Sequence, residues 1–221
     1  MSGDWPQNWS PVAGIVSAWL LDYDSDAYPF VSFVQRHVFG VDSLEGLHQS
    51  QHCPAHRALR YADNLRLRAL MQRLPLNSEF YAIYNRFVRE LVVRHFGGRL
   101  SYSSRPKMRV HLAGTESVSR WHCDAEITGR PEQINIWLPL TRCFAGNTLW
   151  VESSYGSASY QPIALRVGQA LFFDGALLSH GTVPNHTSCS RVSFDLRFTP
   201  TGPRPTAMTT RILGQRGPAA S

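Results

Sequence analysis

Apolar and polar residues alternate along several segments in the second half of the chain. Residues 190–198 carry an apolar side chain at every second position, and residues 108–112 follow the same rule. Residues 170–173 form a short apolar run that is typical of a buried strand, and Gly168 favours a turn just before it. The pattern therefore predicts that the second half of the protein is built from β-strands.

The first hundred residues carry a helical pattern instead. Apolar residues recur at helical spacing after Asn77-Ser78, which can cap a helix, and Gly97-Gly98 ends this stretch. A second helix is predicted over residues 55–74, where Pro75 stops it, and a third over residues 28–39. We expect these helices to buttress the predicted sheet.

The length of 221 residues favours one domain, since it suits an all-β barrel with a helical addition and is short for two domains. Within it, about residues 1–100 would form the helical buttress and about 105–200 the barrel core that holds the metal. Residues 201–221 are rich in proline and glycine and would form a tail. A hydrophobic content of 43% predicts a substantial core.

The net charge of +6 raises the question of nucleic acid as a partner. The arginines of the first hundred residues are scattered without an aromatic stacking motif, so a solvated helix face explains them better. Apolar runs such as residues 13–21 are too short to cross a bilayer, and no export signal opens the chain. Four cysteines without Cys-x-x-Cys spacing indicate reduced thiols. We expect a cytoplasmic protein that binds neither membrane nor nucleic acid.

Two histidines and one aspartate are the strongest candidates for chemistry. His122 and Asp124 would project from the same face of an extended strand, and a neighbouring strand would bring His180 beside them. Two imidazoles and one carboxylate on one side of Fe(II) leave coordination positions open, which is the arrangement of oxygen-activating centres. A His-x-Asp pair by itself is weak, because short histidine motifs arise by chance.

An arginine further along the chain adds to this set. Arg191 and Ser193 share a face of the predicted strand 190–198, eleven and thirteen positions after His180. A planar guanidinium fork beside a hydroxyl is suited to a carboxylate, so this pair predicts a clamp for a dicarboxylate. His186 is a poorer metal ligand than His180, because it precedes the arginine by only five residues.

Together the His-x-Asp pair, the distal histidine and the later Arg-x-Ser resemble the Fe(II)/2-oxoglutarate-dependent dioxygenases, in particular the phytanoyl-CoA hydroxylase-like branch. Residues 133–140, 146–154 and 168–175 resemble further core segments of that branch, although Glu152-Ser153-Ser154 stands where Pro-Gly-Ser is usual. The resemblance covers about residues 107–198. It implies a mainly β protein with N-terminal helices and a double-stranded β-helix core, the jelly-roll of cupin-like proteins.

The same resemblance implies Fe(II), 2-oxoglutarate as cosubstrate, and O2. The cosubstrate would chelate iron through its keto acid end, and its far carboxylate would meet Arg191 and Ser193. Asn135, Trp137 and Thr148 would line the cosubstrate pocket. Decarboxylation to succinate would drive hydroxylation, ring closure or desaturation of a small-molecule substrate, and the carboxylate of Asp124 argues against halogenation.

A finer similarity links the chain to small oxygenases of aminoglycoside and orthosomycin pathways, including a streptomycin-cluster oxygenase and an orthoester-forming enzyme of hygromycin biosynthesis. It implies an aminoglycoside or a sugar or cyclitol intermediate of antibiotic biosynthesis as substrate. Candidate substrate-binding residues lie near the metal motif or on the strand 108–112: Arg109, His111, Trp121, Glu126, Trp150 and Glu152. For Glu152 the competing interpretation is a loop carboxylate paired with an arginine, and for Arg109 and His111 it is contact with solvent.

Two other classes remain open. A non-oxidative metal enzyme on a cupin-like barrel would use the same three ligands, but it would not need the Arg-x-Ser clamp. A binding barrel that has lost turnover would have no reason to keep all of His122, Asp124, His180 and Arg191. The sequence carries no indication of the oligomeric state.

Overall fold

The computed structural model describes residues 9–51, 58–96 and 100–200. Its strands are β1 (Trp9–Pro11), β2 (Ala18–Asp22), β3 (Ser101–Tyr102), β4 (Lys107–His111), β5 (Ile134–Pro139), β6 (Trp150–Glu152), β7 (Tyr160–Pro162), β8 (Gln169–Phe173), β9 (His180–Gly181) and β10 (Arg191–Thr199). Its helices are α1 (Phe30–Phe33), α2 (Tyr61–Gln72), α3 (Glu79–Phe87), α4 (Val93–Phe96) and α5 (Asp124–Thr128). Wider π-helical turns continue α1 over Val34–Phe39 and join α3 to α4 over Val88–Val92, and Ala145–Asn147 forms a 3₁₀ turn.

The strands form two antiparallel sheets. The larger has seven strands in the order β1-β2-β8-β5-β10-β3, with β4 also pairing with β10. The smaller has the order β7-β6-β9, and an isolated bridge between His122 and His180 extends it. The expectation of a mainly β protein with N-terminal helices is confirmed, and the double-stranded β-helix stays a prediction.

The prediction that the first hundred residues form helices alone is wrong. β1 and β2 belong to the larger sheet, where β2 lies between β1 and β8. These strands are short, and residues 18–22 pair with residues 169–173, which lie 147 to 155 positions away along the chain. Local periodicity cannot reveal such a partner.

The predicted helices are present with shifted limits. The helix expected over residues 55–74 begins at Tyr61, after residues 52–57, which the structure does not describe. The helix expected after Asn77-Ser78 begins at Glu79, and Gly97-Gly98 lies outside the described residues. Residues 201–221 lie outside them too, so the predicted tail stays a prediction.

The larger sheet separates two apolar clusters. One cluster lies between the sheet and the helices, where Phe194 of β10 packs against Phe30 and Phe80 with ring centroids 4.9 and 5.6 Å apart. The other includes Trp137 of β5 and Val151 of β6, and it joins the larger sheet to the smaller one. The polar face of β10 is turned away from the helices, and the candidate site lies on that side.

No helix within the described ranges is long and apolar enough to span a bilayer. Cys123, Cys143 and Cys189 are free thiols, while Cys53 lies outside the described residues.

Candidate metal centre

The two candidate histidine ligands lie at a backbone bridge between chain segments. The amide of His122 donates to the carbonyl of His180 at 3.1 Å, and the amide of His180 donates to the carbonyl of His122 at 3.0 Å. The ligand atoms of His122, Asp124 and His180 all lie within 4.8 Å of one another. The structure therefore brings together the three residues that the sequence singled out.

The sequence pattern predicted that Asp124 lies on a strand, but it does not. It is the first residue of α5, whose end is marked by Gly129 in the left-handed region at φ 67°. The amide of Asp124 donates to the carbonyl of Gly175 at 2.9 Å, so the segment before His180 also fixes the start of this short helix. Cys123 is still extended and the helix begins at the next residue, yet the carboxylate of Asp124 reaches the histidines.

Each histidine has one ring nitrogen committed to a backbone carbonyl. Nδ1 of His122 lies 2.7 Å from the carbonyl oxygen of Arg120, and Nδ1 of His180 lies 3.0 Å from that of Leu178. A carbonyl only accepts, so both Nδ1 atoms donate and both Nε2 atoms offer a lone pair in the neutral ring. Histidine ligands of metal ions are commonly oriented in this way.

Asp124 is the charge centre of the site. Arg197 grips its carboxylate with two hydrogen bonds, both of 2.6 Å, and the side-chain amide of Asn135 donates a third at 2.6 Å. Burial favours a higher pKa for Asp124, but the hydrogen bond from His122, the charge of His180 and the contacts with Asn135 and Arg197 outweigh it and hold the pKa well below its usual range. Asp124 is therefore a carboxylate at any physiological pH.

The two histidines are affected differently. Burial lowers the pKa of His180 to about 4, so its ring is neutral and able to ligate a metal at neutral pH. The hydrogen bond with Asp124 raises the pKa of His122, whose Nε2 lies 3.3 Å from the carboxylate. A metal ion that binds Nε2 of His122 would take the place of the proton in this hydrogen bond.

The three candidate ligands line a cavity that is open to solvent and that, with the solvent at its mouth included, spans about 420 Å³. Five residues of β5 and β10 also line it: Asn135, Trp137, Arg191, Asp195 and Arg197. Leu149 and Phe173 supply apolar wall. The cavity thus combines a metal-ligand set, several cations and an apolar surface.

Arg191 is a buried cation that faces this cavity. Its side chain is 1% exposed, and it makes no hydrogen bond or ion pair with any other described residue. Its guanidinium carbon lies 5.6 Å from the ring centroid of Trp137, and the indole N–H donates to Oγ of Ser193 at 3.2 Å. Burial lowers the pKa of Arg191 to about 10, which leaves it positively charged at neutral pH. A buried guanidinium without a carboxylate is suited to an anionic ligand.

His111 lies beside Arg191, because the two residues pair across β4 and β10. Its ring is fully buried, and neither nitrogen is in hydrogen-bonding geometry with a described group. Burial and the charge of Arg191 lower the pKa of His111 to about 3, against a weaker opposing effect of the Thr115 and Glu116 backbone. His111 does not line the metal cavity, and it does not face solvent either.

Only one of the six candidate substrate residues lines the cavity. Arg109 does so, and its Nε lies 3.3 Å from Asp195. The ring of Trp121 packs on Tyr160 at 4.1 Å between centroids, outside the cavity.

The other aromatic and acidic candidates have partners elsewhere. The indole N–H of Trp150 donates to the carbonyl of Ala145 at 3.1 Å, and a carboxylate oxygen of Glu126 accepts the amide of Cys123 at 3.4 Å. Neither residue lines the metal cavity.

Glu152 and Thr148 have structural partners that the sequence did not indicate. The carboxylate of Glu152 is 4% exposed and accepts the backbone amides of Ala158 at 2.8 Å and Ser179 at 3.3 Å. It therefore supports a loop, and its partners are backbone amides rather than the arginine considered above. The hydroxyl of Thr148 donates to the carbonyl of Ile163, so the expectation that Thr148 lines the cosubstrate pocket does not hold.

Asp195 and Arg197 also line the cavity, although the sequence did not single them out as site residues. Their signal was present, because both continue the alternation that begins with Arg191 and Ser193 on the same strand. What the alternation could not give was the partner of Arg197, since Asp124 lies 73 positions away along the chain.

No family model matches the chain. The streptomycin biosynthesis protein StrG of Streptomyces griseus is 34% identical over 186 residues, which are 81% of this chain and 83% of StrG. This similarity confirms the resemblance to a streptomycin-cluster protein.

Two solved structures are similar in fold. The nickel complex of the non-heme monooxygenase ThoJ has a TM-score of 0.54 at 18% identity, covering 87% of this chain and 74% of ThoJ. AviO1 from Streptomyces viridochromogenes Tue57 has a TM-score of 0.54 at 13% identity, covering 86% of this chain and 92% of AviO1. With 34% identity to StrG over 81% of this chain, and with the fold of the non-heme monooxygenase ThoJ, the chain belongs to the family of the streptomycin biosynthesis protein StrG.

Proposed function

We propose that the protein is a non-haem Fe(II)/2-oxoglutarate-dependent oxygenase. It oxidises an unactivated C–H bond of a small molecule, an aminoglycoside or a sugar or cyclitol intermediate of antibiotic biosynthesis, by hydroxylation or oxidative cyclisation. The observation that carries the proposal is the His122, Asp124 and His180 cluster in one cavity with the buried, unpaired guanidinium of Arg191. When iron, 2-oxoglutarate and O2 are bound, a centre of this kind couples decarboxylation of the cosubstrate to oxidation of the substrate.

The donor set fits Fe(II). Two neutral imidazole nitrogens and one carboxylate oxygen meet within 4.8 Å, which is the ligand combination of non-haem iron oxygenases. Nδ1 of each histidine is held by a carbonyl, so the rings are oriented before an ion arrives. Three protein ligands leave positions for the keto acid and for oxygen.

The surroundings of Arg191 fit the far carboxylate of 2-oxoglutarate. A buried cation is costly without a counter-charge, and no described carboxylate pairs with it. Ser193 does not line the cavity itself, but it accepts the indole N–H of Trp137 and so helps to orient the ring that contacts the guanidinium. These contacts favour an oxygenase over a non-oxidative cupin enzyme, whose reaction does not use a dicarboxylate.

Residues around the ligands hold the centre in one geometry. Arg197 and Asn135 fix both oxygens of Asp124, which limits the rotation of the carboxylate. Leu149 and Phe173 cover part of the cavity with apolar surface.

The first test is an anaerobic optical titration of the purified protein with Fe(II) and 2-oxoglutarate. We expect a weak visible charge-transfer band that appears only when both are present, because it requires the keto acid to chelate the metal. The band should be absent in His180→Ala and retained in His186→Ala, which removes an exposed histidine outside the cluster. Bound iron without a band would contradict the proposal and favour a non-oxidative enzyme or an inactive binding barrel.

Arg191→Ala tests the clamp separately. We expect the affinity for 2-oxoglutarate in the band titration to fall by roughly 100-fold, because a charge-assisted bidentate contact is lost. Binding of Ni(II) alone, followed by calorimetry, should stay unchanged, since Arg191 contacts none of the three candidate ligands. An unchanged affinity for 2-oxoglutarate would contradict the clamp and leave the metal assignment intact.

A further inference from the structure

A second cleft adjoins the metal cavity. It is open to solvent and, with the solvent at its mouth included, spans about 650 Å³; it shares Asp195 and Arg197 with the metal cavity. Three further basic residues line it: Arg68, Arg105 and Lys107. A ligand that lies in both depressions would reach from the candidate metal ligands to this basic cleft.

The cleft has more positive than negative charge. Asp195 is the one acidic residue among the described residues that line it, and Asp195 already pairs with Arg109 at 3.3 Å. Arg197 is committed to Asp124 on the side of the metal cavity. Lys107 and Arg68 form no ion pair with any residue in the described part of the chain, so two cations remain available to a ligand.

Burial and neighbouring positive charges disfavour the charged forms of Lys107 and Arg68. Burial and the charges of Arg109 and Arg197 lower the pKa of Lys107, and burial and the charge of Arg109 lower that of Arg68. Asp195 opposes these effects only in part. An oxyanion in the cleft would relieve this repulsion.

Three separate elements bring the cations together. Lys107 lies opposite Asp195 in the pairing of β4 with β10, and α2 packs on β4 and contributes Arg68. Arg105 precedes β4, and its guanidinium donates to the carbonyls of Gln72 and Leu74 at the end of α2. The cations of the cleft therefore come from different elements rather than from one solvated helix face.

We propose that this cleft binds a phosphate monoester carried by the substrate, with Lys107 and Arg68 as its principal contacts. The inference rests on the proposed function, because it specifies the substrate class of the same metal centre. A phosphate monoester has a charge between −1.5 and −2 at neutral pH and offers three acceptor oxygens, roughly what several converging cations can satisfy. The candidate acidic contacts Glu126 and Glu152 are bound to backbone amides, so the pocket shows no comparable preference for a purely cationic substrate.

Phosphate binding can be measured without iron or turnover. We would titrate metal-free protein with glucose and with glucose 6-phosphate by isothermal calorimetry at two salt concentrations. Only the phosphate ester should bind, and its affinity should fall with salt, because the contact is between charges. Lys107→Met and Arg68→Gln should each weaken binding about tenfold, and the double variant should abolish it.

Two further variants make the result specific. Arg36→Gln removes an exposed arginine far from the cleft along the chain and should bind glucose 6-phosphate like the original protein. Arg191→Ala should bind it normally too, which separates this cleft from the cosubstrate clamp. Thermal unfolding of Lys107→Met should occur at the same or a higher temperature, since a like charge is removed from the cluster.

The proposal is overturned if glucose 6-phosphate does not bind, if binding survives the double substitution, or if Arg36→Gln causes an equal loss. The charge-transfer band with Fe(II) and 2-oxoglutarate does not involve this cleft. A protein that gives the band and fails the phosphate titration would retain the proposed function and lose this inference.

Discussion

The two faces of β10 serve different purposes. One face carries four buried apolar residues that pack toward the helices: Val192, Phe194, Leu196 and Phe198. The other carries four polar residues on the side of the metal cavity: Arg191, Ser193, Asp195 and Arg197. Residues that stabilise the fold and residues that make the site therefore alternate along one strand.

The comparison shows how the protein tolerates a strongly polar cavity. Burial on the apolar face lowers the free energy of the folded state, at about 25 cal/mol for each Å² of apolar surface. On the polar side, the ring nitrogens of His111 on β4 and Nε of Arg191 on β10 are buried without hydrogen-bond partners. Their burial raises the free energy of the folded state. Packing of the apolar face against the helices offsets this cost, so the fold does not depend on favourable contacts within the site.

The largest expected effect comes from the apolar face. Phe194→Ala should lower the free energy of unfolding by about 3–5 kcal/mol, because it opens a cavity among the rings of Phe30 and Phe80. Chemical denaturation measures this, with Leu70→Ala as a control on an exposed helical position. The affinity of the folded variant for 2-oxoglutarate and iron should be unchanged, and a large loss would show that the two faces are coupled.

On the polar face, Arg197→Met should act on the metal rather than on the fold. Loss of the bidentate contact frees the carboxylate of Asp124 to rotate, and metal affinity should fall 10–100-fold, about 1.4–2.7 kcal/mol. Calorimetric titration with Ni(II) measures it. Arg166→Met, which removes an exposed ion pair with Asp22, is the matched control. Tighter metal binding in Arg197→Met would mean that the arginine competes with the ion.

The buried ring of His111 should make stability depend on pH. Burial lowers its pKa from 6.5 to about 3, so the unfolded chain binds a proton more readily than the folded one. The contribution of His111 to the free energy of unfolding is fully present above pH 6.5 and is lost as the pH falls toward 3. About 1.4 kcal/mol of it should be lost between pH 7.5 and 5.5. Denaturation midpoints across this range measure the slope. His111→Gln should flatten it, and an equal slope in that variant would assign the effect to other groups.

The smallest effect is expected at the rim of the cavity. Arg109 and Asp195 form a pair whose side chains are only partly buried, so Arg109→Met should change the free energy of unfolding by less than about 1 kcal/mol. The charge-transfer band should persist. If the free energy of unfolding fell by several kcal/mol, the pair would stabilise the fold as strongly as residues of the apolar face do.

Alternation along β4 and β10 was sufficient to predict which side chains share a face, including Arg191 and Ser193. It worked because one side of each strand is packed against helices, which makes the two-residue period strict. The same period was wrongly extended through Asp124, where a short helix begins. Helices of five residues carry too few turns for a periodic signal.

Partners that are distant in sequence could not be predicted. The sequence around Glu152 does not indicate what its side chain contacts. Its carboxylate accepts two backbone amides, and composition does not distinguish those partners from an arginine or a substrate. The strands at residues 9–11 and 18–22 depend likewise on pairing with distant segments. Sequence therefore indicated the chemistry of the site better than the supports that hold it.

The reciprocal backbone hydrogen bonds between His122 and His180 couple metal binding to a specific opening motion. Any fluctuation that separates these two segments also separates two of the three candidate ligands. Amide hydrogen exchange at both positions would then report one shared opening event. A bound ion should slow the exchange of the two amides together and by the same factor, which makes them paired reporters of residence time at the metal centre.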